Sequence, residues 1–565
     1  MFPLRQIKCY FIFYSNICNN VIFIGLLCIY ICYVSNIKER NIDLGESNLN
    51  NEISSSLWCQ ASGKNDKKCS FKNLCYNPDF KFLFVLTNSS VLSGIERNAE
   101  LKKIKTSSVF NHNDLYLKLS IISGNNLLLN NVSILQHPVF LLHRFKPDNI
   151  MHVIHDDLLP LYLSYSELCS GDVLECASLY SLVFIDEFKM GTFKEWYTIF
   201  SHNEPFSLKE LNNKNTICFR HGRTGMLTDS VFFQYGFNMP QGPKISNMTG
   251  IILRQFSNYI LNSLGIPSPT WPQYSKCTLI SRKINRKILN ECKIEEYVAD
   301  LTKQVHRSNI TVMKVDVSCN STIELLSAIS TSNLLIGMHG SAMILAIFLP
   351  EGASVVELFP LGISPEAVSP LNTVSHFPGI YFSYLPWKNE NEKNSFVHPE
   401  YPPILGGVNH LSPERRNEII NLKNIPPVLC CHDTAYLYRM YQDTIVDDTL
   451  IPVLKKAIRN WGICCEAYDD YLDKVWFFPA PVRIITCSVT KTGVQILWER
   501  PHNVEERVVH YKLTLSTNGQ HFSLSTTSTF LDINTTWTKD LEVWALCSFN
   551  GAESIDTYTK CYLQT

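Results

Sequence analysis

The stretch "LLIGMHGSAMILAIFLPEGASVVELFP" (334–360) decides the fold. The apolar runs at 333–338 and 353–359 predict two buried strands, because continuous apolar runs are typical of parallel sheets. The apolar segment between them predicts a helix that begins at Gly340. The first turn of a helix offers unpaired N–H groups and a positive dipole end, which together bind anions. His339 and Gly340 stand at that turn, so the stretch predicts a β-α-β unit with an anion at its mouth.

The residues before this stretch extend the same pattern. Apolar runs at 277–283 and 312–317 predict two more strands. Between the second of these runs and the next strand, residues 321–330 predict a helix. Ser321 and Glu324 have the spacing of a capping box at its start. The order β-α-β-α-β predicts a Rossmann-like lobe.

These patterns predict an α/β fold in three folded parts. Residues 57–245 are predicted to form an N-terminal catalytic lobe and residues 246–478 a C-terminal nucleotide-binding lobe. Residues 479–565 alternate apolar and polar positions over several short runs, which is typical of a small antiparallel β-sandwich. Trp498 and Tyr511 in that part resemble the core pair of a fibronectin type III domain. The sandwich is interpreted as a binding or positioning platform.

The N-terminal residues predict membrane attachment. Residues 9–34 are mostly apolar and are interpreted as a signal-anchor, with residues 1–8 as a cytoplasmic tail and 35–56 as a stem. The part without a strong polar group, 21–34, is shorter than the roughly 20 residues that span a bilayer, so a cleaved signal peptide is the alternative. We expect a single-pass type II protein of the endoplasmic reticulum membrane, with the Golgi as the alternative, whose catalytic part is lumenal.

Composition narrows the compartment and the partners. The 565 residues carry a net charge of −1 and no long basic run, which excludes nucleic acid as a partner. Twenty cysteines, of which sixteen follow the apolar segment, favour disulfides in an oxidising compartment. Six Asn-x-Ser/Thr sequons predict glycosylation at Asn88, Asn131, Asn247, Asn309, Asn320 and Asn534.

Ionisable residues cluster in "HRFKPDNIMHVIHDDLLPLY" (143–162). If 151–159 is helical, His152 and Asp156 face one side, where a carboxylate beside an imidazole suits general-base catalysis. Asp156 is slightly preferred as the base because a carboxylate is already ionised at lumenal pH. Asp157 is the third catalytic candidate.

The same segment leaves three other questions open. Arg144 and His155 are candidates for substrate binding. The aspartates could instead cap a helix around a core histidine. A metal site made of His152, His155 and Asp156 is a further alternative, although no distant third ligand is evident.

A second group of residues predicts a nucleotide diphosphate site. Arg282 comes at the end of a predicted strand, where open α/β sheets bind ligands, and arginine suits a diphosphate because its fork donates two bonds. The alternative for these arginines is a solvated, basic helix start. Glu357, at the end of the next strand, could accept the hydroxyls of a ribose. The candidate binding residues are Arg282, Arg286, His339, Gly340, Ser341 and Glu357.

The motifs "MHVIHDDLLPLY", "SRKINRKILN" and "IGMHGSAMILAIFLPEGASVVELFP" resemble a lumenal glycosyltransferase family that includes plant xylosyltransferases and the EGF-domain O-GlcNAc transferase. The resemblance covers about residues 57–565. It implies a GT-B-type pair of lobes followed by the fibronectin type III sandwich. His152, Asp156 and Pro160 match the catalytic positions of the family. Arg282, His339 and Gly340 match its nucleotide positions.

The resemblance also implies an activity. The run at 143–162, combined with the C-terminal sandwich, implies inverting transfer of N-acetylglucosamine from UDP-GlcNAc to the 4-position of O-linked mannose on a protein acceptor of the α-dystroglycan type. The partners are then a UDP-sugar and an O-mannosylated protein. A related transferase for xylose or for O-GlcNAc on EGF repeats is one alternative, and a non-catalytic lumenal binding protein is another. The residues do not decide whether a divalent metal is needed.

Overall fold

The computed structural model describes the following residues: 44–45, 53–62, 66–78, 81–93, 104–108, 116–117, 119–123, 132–210, 216–226, 230–234, 242–243, 248–365, 370–375, 377, 380–425, 433–462, 482–490, 493–500, 508–517, 520–534, 540–549, 552–553 and 557–562. These residues belong to one compact unit that spans 44–565. Together they have mixed α/β architecture with parallel sheets, as the sequence predicts.

The predicted Rossmann-like strands form one parallel sheet. Its strands are β1 (Ser275–Ile280), β2 (Ile310–Val315), β3 (Leu334–Met338), β4 (Ala353–Phe359) and β5 (Phe382–Lys388). They lie in the order β2-β1-β3-β4-β5, and all neighbours are parallel. Every residue of β3 and β4 is buried, which explains their continuous apolar runs.

Helices cover both faces of this sheet. Thr322–Ile329 begins with the predicted capping box, in which Ser321 and Glu324 each accept a backbone N–H of the other. The other helices of this part are Gly250–Ser263, Glu291–His306, Pro370–Ser375, Pro413–Asn421, Thr434–Met440 and Leu450–Arg459, with short 3₁₀ turns at Glu392–Asn394 and Pro403–Leu405.

The helix after Gly340 differs from the prediction in type. Ser341–Phe348 is a 3₁₀ helix of eight residues, in which the Met343 N–H donates to the Gly340 carbonyl. Residues 342–348 are all buried. Because no polar face marks a period of 3.6 residues, the sequence could not separate an α-helix from a 3₁₀ helix here.

A mixed sheet organises the described residues before 245. Val139–Leu142 pairs in parallel with Ser181–Phe184 and with Thr216–Thr224, and Ser181–Phe184 pairs in parallel with Phe206–Ser207. Antiparallel pairs extend the sheet on the other side, as between Thr216–Thr224 and Asp66–Asn77. The remaining strands of this sheet are Leu44–Gly45, Ser56–Ser62, Lys81–Leu86, Leu92–Ser93, Leu119–Ser123 and Val132–Leu135.

One helical run in this lobe carries the ionisable cluster. It begins as an α-helix at Ile150–His152, widens to a π-helix over Val153–Leu158 and returns to an α-helix over Leu159–Leu168. The predicted helix over 151–159 is confirmed, whereas the π form is new. Pro160 supplies the physical reason, because it has no N–H for the carbonyl four residues earlier. The helices that follow are Val173–Leu179, Lys194–Thr198 and a 3₁₀ turn at Leu208–Glu210.

Small strand pairs lie outside the two large sheets. They are Ile104–Lys105 with Tyr116–Leu117, Phe233–Gln234 with Gly242–Pro243, and Ser395–Phe396 with Asp443–Thr444.

The described residues after 481 form two antiparallel sheets around a shared apolar core. One sheet contains Arg483–Val489, Gly493–Glu499 and Phe530–Asn534; the other contains His510–Thr517, Gln520–Thr526, Leu541–Phe549, Ala552–Glu553 and Thr557–Cys561. The rings of Trp498 and Tyr511 lie 5.4 Å apart in the core.

Three aromatic side chains join this C-terminal part to the N-terminal lobe. The Trp58 ring lies 5.4 Å from the ring of Trp544 and 5.5 Å from that of Tyr558. Aromatic pairs of this kind contribute about 0.5–1.5 kcal/mol each beyond area burial. The C-terminal sheets are therefore packed against the lobe that carries the helical run 150–168.

Four disulfides lie among the described residues. They pair Cys59 with Cys69, Cys75 with Cys218, Cys169 with Cys176, and Cys487 with Cys561. Their presence fits the predicted oxidising compartment.

The predicted single-pass localisation in a membrane is contradicted. In the part of the chain that the structure describes, no helix combines the length and the apolar character that crossing a bilayer requires. The tail, signal-anchor and most of the stem, residues 1–8, 9–34 and 35–56, lie outside the described residues, as do Asn131 and Asn247.

Candidate active site

The strand order places a crevice at the carboxyl edge of the parallel sheet. From β1 the chain moves to β2 on one side and then crosses back to β3 on the other side. Loops that leave β1 and β3 therefore diverge, and ligands of open α/β sheets bind at such a point. Arg282 follows β1, and His339 and Gly340 follow β3. The sequence prediction that these residues share one edge is confirmed.

A large cavity of about 610 Å³ lies at this crevice. Its walls come from the loops after β1, β2 and β3 and from the N-terminal lobe. The lining residues that carry polar groups include Asp148, Thr192, Glu195, Ser281, Arg282, Asn285, Asp316, Ser318, Asn320, Thr322 and Ser341. A polar, two-sided cavity of this size can hold a hydroxyl-rich ligand.

A smaller cavity of about 200 Å³ adjoins it, since Ser341 lines both. The small cavity brings together six residues that the sequence predicted: His152, Arg286, His339, Gly340, Ser341 and Glu357. Arg282 lines only the large cavity, and Asp156, Asp157, His155 and Arg144 line neither.

Two arginines supply positive charge at the boundary of the cavities. Arg282 donates from Nε and Nη2 to the carbonyl and side-chain oxygens of Asn285, at 3.1 and 3.2 Å. Arg286 donates from Nη1 to the carbonyl oxygen of His339 at 3.1 Å, while its buried Nε has no hydrogen-bond partner. Burial and the charge of Arg286 lower the pKa of Arg282 to about 9, and burial also lowers the pKa of Arg286.

Neither guanidinium has a carboxylate partner among the described residues. Two other buried cations do have one, since Lys68 pairs with Glu167 and Arg144 pairs with Asp186. Burying an unpaired cation is costly, whereas a bound anion would offset that cost. The geometry therefore favours an anionic ligand at the meeting point of the two cavities.

Gly340 makes this arrangement possible. Its φ of 150° lies in a region that side-chain-bearing residues rarely adopt. A Cβ at this position would also meet Nη1 of Arg286 at 2.2 Å. Only glycine lets the guanidinium lie against the turn at which the 3₁₀ helix begins.

His339 is held by a carboxylate behind it. Its Nδ1 lies 2.8 Å from Oε1 of Glu357, and its ring stacks on Phe359 at 4.6 Å. The other oxygen of Glu357 accepts the hydroxyl of Tyr384 at 2.7 Å. Because both oxygens of Glu357 have protein partners, the structure places this carboxylate as the support of His339 and does not favour the predicted role in binding a ribose.

His152 has a similar support. Its Nδ1 lies 2.5 Å from Oδ2 of Asp156, and Nδ1 of His155 lies 2.5 Å from Oδ1 of the same carboxylate. Burial alone would raise the pKa of Asp156, but the interaction with His155 and the two imidazole hydrogen bonds hold that pKa below its ordinary value. Asp156 is therefore ionised and accepts hydrogen bonds through both oxygens.

Two backbone amides determine the tautomer of His155. Its Nε2 accepts the N–H groups of Phe232 and Phe233, at 3.2 and 3.3 Å. The proton of this imidazole therefore resides on Nδ1, which donates to Asp156. For His152, donation of Nδ1–H to the ionised Asp156 makes Nε2 the basic nitrogen.

The predicted preference for Asp156 as the base is not favoured by this geometry. Asp156 is buried behind the two imidazoles, whereas His152 lines the small cavity. Burial lowers the pKa of His152, and the hydrogen bond that its Nδ1–H donates to Asp156 opposes that shift. His152 is therefore the better candidate for the proton acceptor, with Asp156 as the group that orients it.

Arg144 and Asp157 lie apart from the cavities. Arg144 is fully buried and forms a bidentate pair with Asp186, at 2.8 and 2.9 Å. Asp157 accepts the hydroxyl of Tyr197 at 2.6 Å. Burial raises the pKa of Asp157 well above its ordinary value. Both residues are thus engaged by other side chains of the fold, and neither lines the two cavities.

The alternative of a metal site is not favoured by these contacts. Both oxygens of Asp156 and three of the four ring nitrogens of His152 and His155 are engaged in the hydrogen bonds just described. Across the described ranges, no group of three or more histidine, cysteine or carboxylate side chains is arranged to hold a metal ion.

Sequence reasoning missed several lining residues of the small cavity. Lys146 lies within the ionisable run but was not singled out, and burial lowers its pKa. Tyr436, Met440 and Tyr441 come from the helix Thr434–Met440 and the residue after it, where no motif signals a site. The Arg286 guanidinium lies 5.1 Å from the Tyr441 ring centre, a cation–π distance that only the fold reveals.

The described sequons differ in accessibility. Asn88, Asn309 and Asn534 are exposed. Asn320 lines the large cavity, where its Oδ1 accepts the N–H of Asp316 at 2.8 Å and its Nδ2 donates to Glu324 at 3.3 Å.

We expect Asn320 to carry no glycan, because its amide is engaged and a glycan would fill the cavity. Mass spectrometry of glycopeptides from the purified protein measures the occupancy. Asn309, in the same lobe and exposed, is the control. Occupancy of Asn320 equal to that of Asn309 would contradict the placement of this residue.

Comparison with known proteins agrees with the geometry. The model of the family described as Glycosyltransferase 61 matches residues 150–356, which contain His152, His339 and both arginines. Protein O-linked-mannose beta-1,4-N-acetylglucosaminyltransferase 2 of Xenopus laevis is 30% identical over 520 residues, which are 87% of this chain and 86% of that protein. The proteins of the same name from Mus musculus and Takifugu rubripes are 30% and 29% identical, again with 87% and 86% coverage.

The family resemblance predicted from the motifs is thus confirmed. With relatives that align over nearly the whole length, the chain belongs to the glycosyltransferase 61 family and groups there with the proteins named protein O-linked-mannose beta-1,4-N-acetylglucosaminyltransferase 2.

Proposed function

We propose that this protein transfers N-acetylglucosamine from UDP-GlcNAc to the 4-position of O-linked mannose on a protein acceptor, with inversion to a β-1,4 linkage. The names of the relatives support this donor sugar and acceptor. The single observation that carries the proposal is a pair of arginines, Arg282 and Arg286, that have no carboxylate partner among the residues the structure describes. They line two adjoining cavities, and the carboxylate-supported His152 lines the smaller one.

In the proposed reaction, the acceptor hydroxyl attacks the anomeric carbon of the donor sugar. The bond from that carbon to the phosphate oxygen breaks, and UDP leaves with the electron pair. Nε2 of His152 takes the proton of the hydroxyl, and the imidazolium that forms is stabilised by Asp156. Arg282, Arg286 and His339 stabilise the charge that develops on the departing diphosphate. One displacement inverts the anomeric centre and needs one base.

The same proposal includes a finer description of the fold. We infer that the two α/β parts are the lobes of a GT-B-type transferase, with the large cavity between them. We further infer that the C-terminal sheets are a fibronectin type III domain that positions the acceptor polypeptide. The packing of Trp544 and Tyr558 on Trp58 supports a fixed position for this domain.

Two alternatives are separated by experiment. A related transferase would use another donor, such as UDP-xylose, and a screen of UDP-sugars against mannosylated and EGF-type peptides identifies it. A binding protein without activity would bind the UDP-sugar but would form no UDP from it. The ionised Asp156 and the oriented His152 disfavour that second alternative, because binding of UDP alone does not require a general base.

Replacement of Arg282 by alanine is expected to weaken UDP binding by about 2–3 kcal/mol, the range for a hydrogen bond to a charged group. That is on the order of 30- to 150-fold in Kd. Calorimetric titration of UDP measures it. Arg459→Ala, which removes an exposed arginine of the same lobe, is the control. Equal affinity in wild type and Arg282→Ala would remove Arg282 from the site.

A further inference from the structure

The backbone carbonyl of Asp156 has an unusual partner. Pro160 has no N–H, so this carbonyl lacks the donor that an α-helix would supply. The helix widens here to the π form, in which the N–H of Leu159 donates to the carbonyl of Ile154, five residues earlier. The hydroxyl of Ser108, from the loop after strand Ile104–Lys105, donates to the Asp156 carbonyl instead. Ser108 is fully buried.

We propose that Ser108 is a positioning residue for the base of the reaction, a role that rests on the proposed function. Its hydroxyl fixes the backbone of Asp156 so that the two carboxylate oxygens meet His152 and His155 together. Ser108 acts through Asp156 and His152 and does not touch the substrate.

The local contacts explain why this hydroxyl matters. The Asp156 carboxylate makes two hydrogen bonds of 2.5 Å, one to each imidazole, so a small shift of its backbone breaks one of them. Without Ser108, this buried carbonyl loses the hydroxyl donor that the structure gives it, and we expect the helix to relax by moving residue 156. The other titratable groups that act on His152 are His155 and Lys146. Neither replaces the contact that holds Nδ1–H of His152.

A comparison of two serine variants tests the role. Ser164 lies on the same helical run, is buried, and donates its hydroxyl to the carbonyl of Pro160 at 2.7 Å. Ser108→Ala and Ser164→Ala therefore each remove one buried hydroxyl-to-carbonyl bond, but only the first removes it at Asp156. We expect Ser108→Ala to lower kcat by about 10- to 100-fold, the range for a misplaced catalytic group, with KM for the donor and Kd for UDP unchanged.

The pH profile supplies a readout that a general loss of stability would not move. The hydrogen bond that His152 donates to Asp156 raises the pKa of His152, so its loss lowers that pKa. The acid limb of kcat/KM is then expected to shift to lower pH in Ser108→Ala and to stay in place in Ser164→Ala. Ser108→Thr, which keeps the hydroxyl, is expected to retain the wild-type limb.

The proposal is overturned if Ser108→Ala and Ser164→Ala show the same kcat and the same acid limb. If His152→Ala retains full activity, the proposed function itself fails, which is a separate result. If Ser108→Ala does not fold, which loss of UDP binding would indicate, Ser108→Cys replaces it. A thiol fills the space of the hydroxyl and is a weaker hydrogen-bond donor. The same two criteria then apply to Ser108→Cys.

Discussion

His152→Ala is expected to lower kcat by about 10²–10⁴-fold at saturating donor, the range for loss of a general base. His152 lines the small cavity, and the hydrogen bond of its Nδ1 to Asp156 leaves Nε2 as the basic nitrogen. The two arginines and the turn at Gly340 do not depend on this imidazole. UDP affinity, measured by calorimetry on the same protein, is therefore expected to stay at the wild-type value.

His306→Ala is the matched control, because His306 is exposed, stacks on Trp461 and lines neither cavity. It is expected to keep wild-type kcat. A fall of less than about tenfold in His152→Ala, with UDP binding intact, would assign the proton transfer to another group and would return Asp156 to consideration.

Asp156→Asn is expected to lower kcat by about as much, although we propose His152, and not Asp156, as the base. Each oxygen of the carboxylate accepts a hydrogen bond from one imidazole N–H. An amide, by contrast, offers one oxygen that accepts and one NH₂ group that donates. The oxygen of the amide must face His155, whose Nδ1 carries a proton because Nε2 accepts two backbone amides. The NH₂ group then faces His152 and forces its proton onto Nε2. That tautomer cannot accept the proton of the acceptor hydroxyl.

Asp157→Asn is the control for this change, since it alters the next residue in the same way. Burial raises the pKa of Asp157 well above its ordinary value, which favours the neutral carboxyl, and an amide of the same shape still accepts the Tyr197 hydroxyl. We expect kcat to change by less than about threefold, because no charge and no hydrogen bond to a catalytic group is lost. Similar losses in Asp156→Asn and Asp157→Asn would indicate damage to the helix and not loss of the tautomer.

Much of the fold could be predicted from local patterns. The parallel sheet followed from continuous apolar runs, and the helix at Thr322–Ile329 from the capping pair Ser321 and Glu324. The position of Arg282 and His339 at the crevice could be predicted from one general property of open α/β sheets. Loops at the carboxyl ends of neighbouring strands lie at the same edge of the sheet.

The remainder depends on contacts between distant residues. The sequence placed His152 and Asp156 on one helical face but could not show which of them reaches the cavity, since that depends on the orientation of the whole helix. The engagement of Glu357 by Tyr384 and the pairing of Arg144 with Asp186 also join residues 27 and 42 positions apart. For this reason the sequence could not show that these two predicted substrate ligands have protein partners of their own.

Product analysis with UDP-GlcNAc and an O-mannosylated peptide tests the central claim most directly. Wild-type protein and His152→Ala are incubated with both substrates, and the product is examined by mass spectrometry and by NMR of the new anomeric proton. We expect wild type to add one N-acetylglucosamine in a β-1,4 linkage to mannose, and His152→Ala to add almost none while it still binds UDP. Absence of transfer by wild type, or equal transfer by both proteins, would contradict the account.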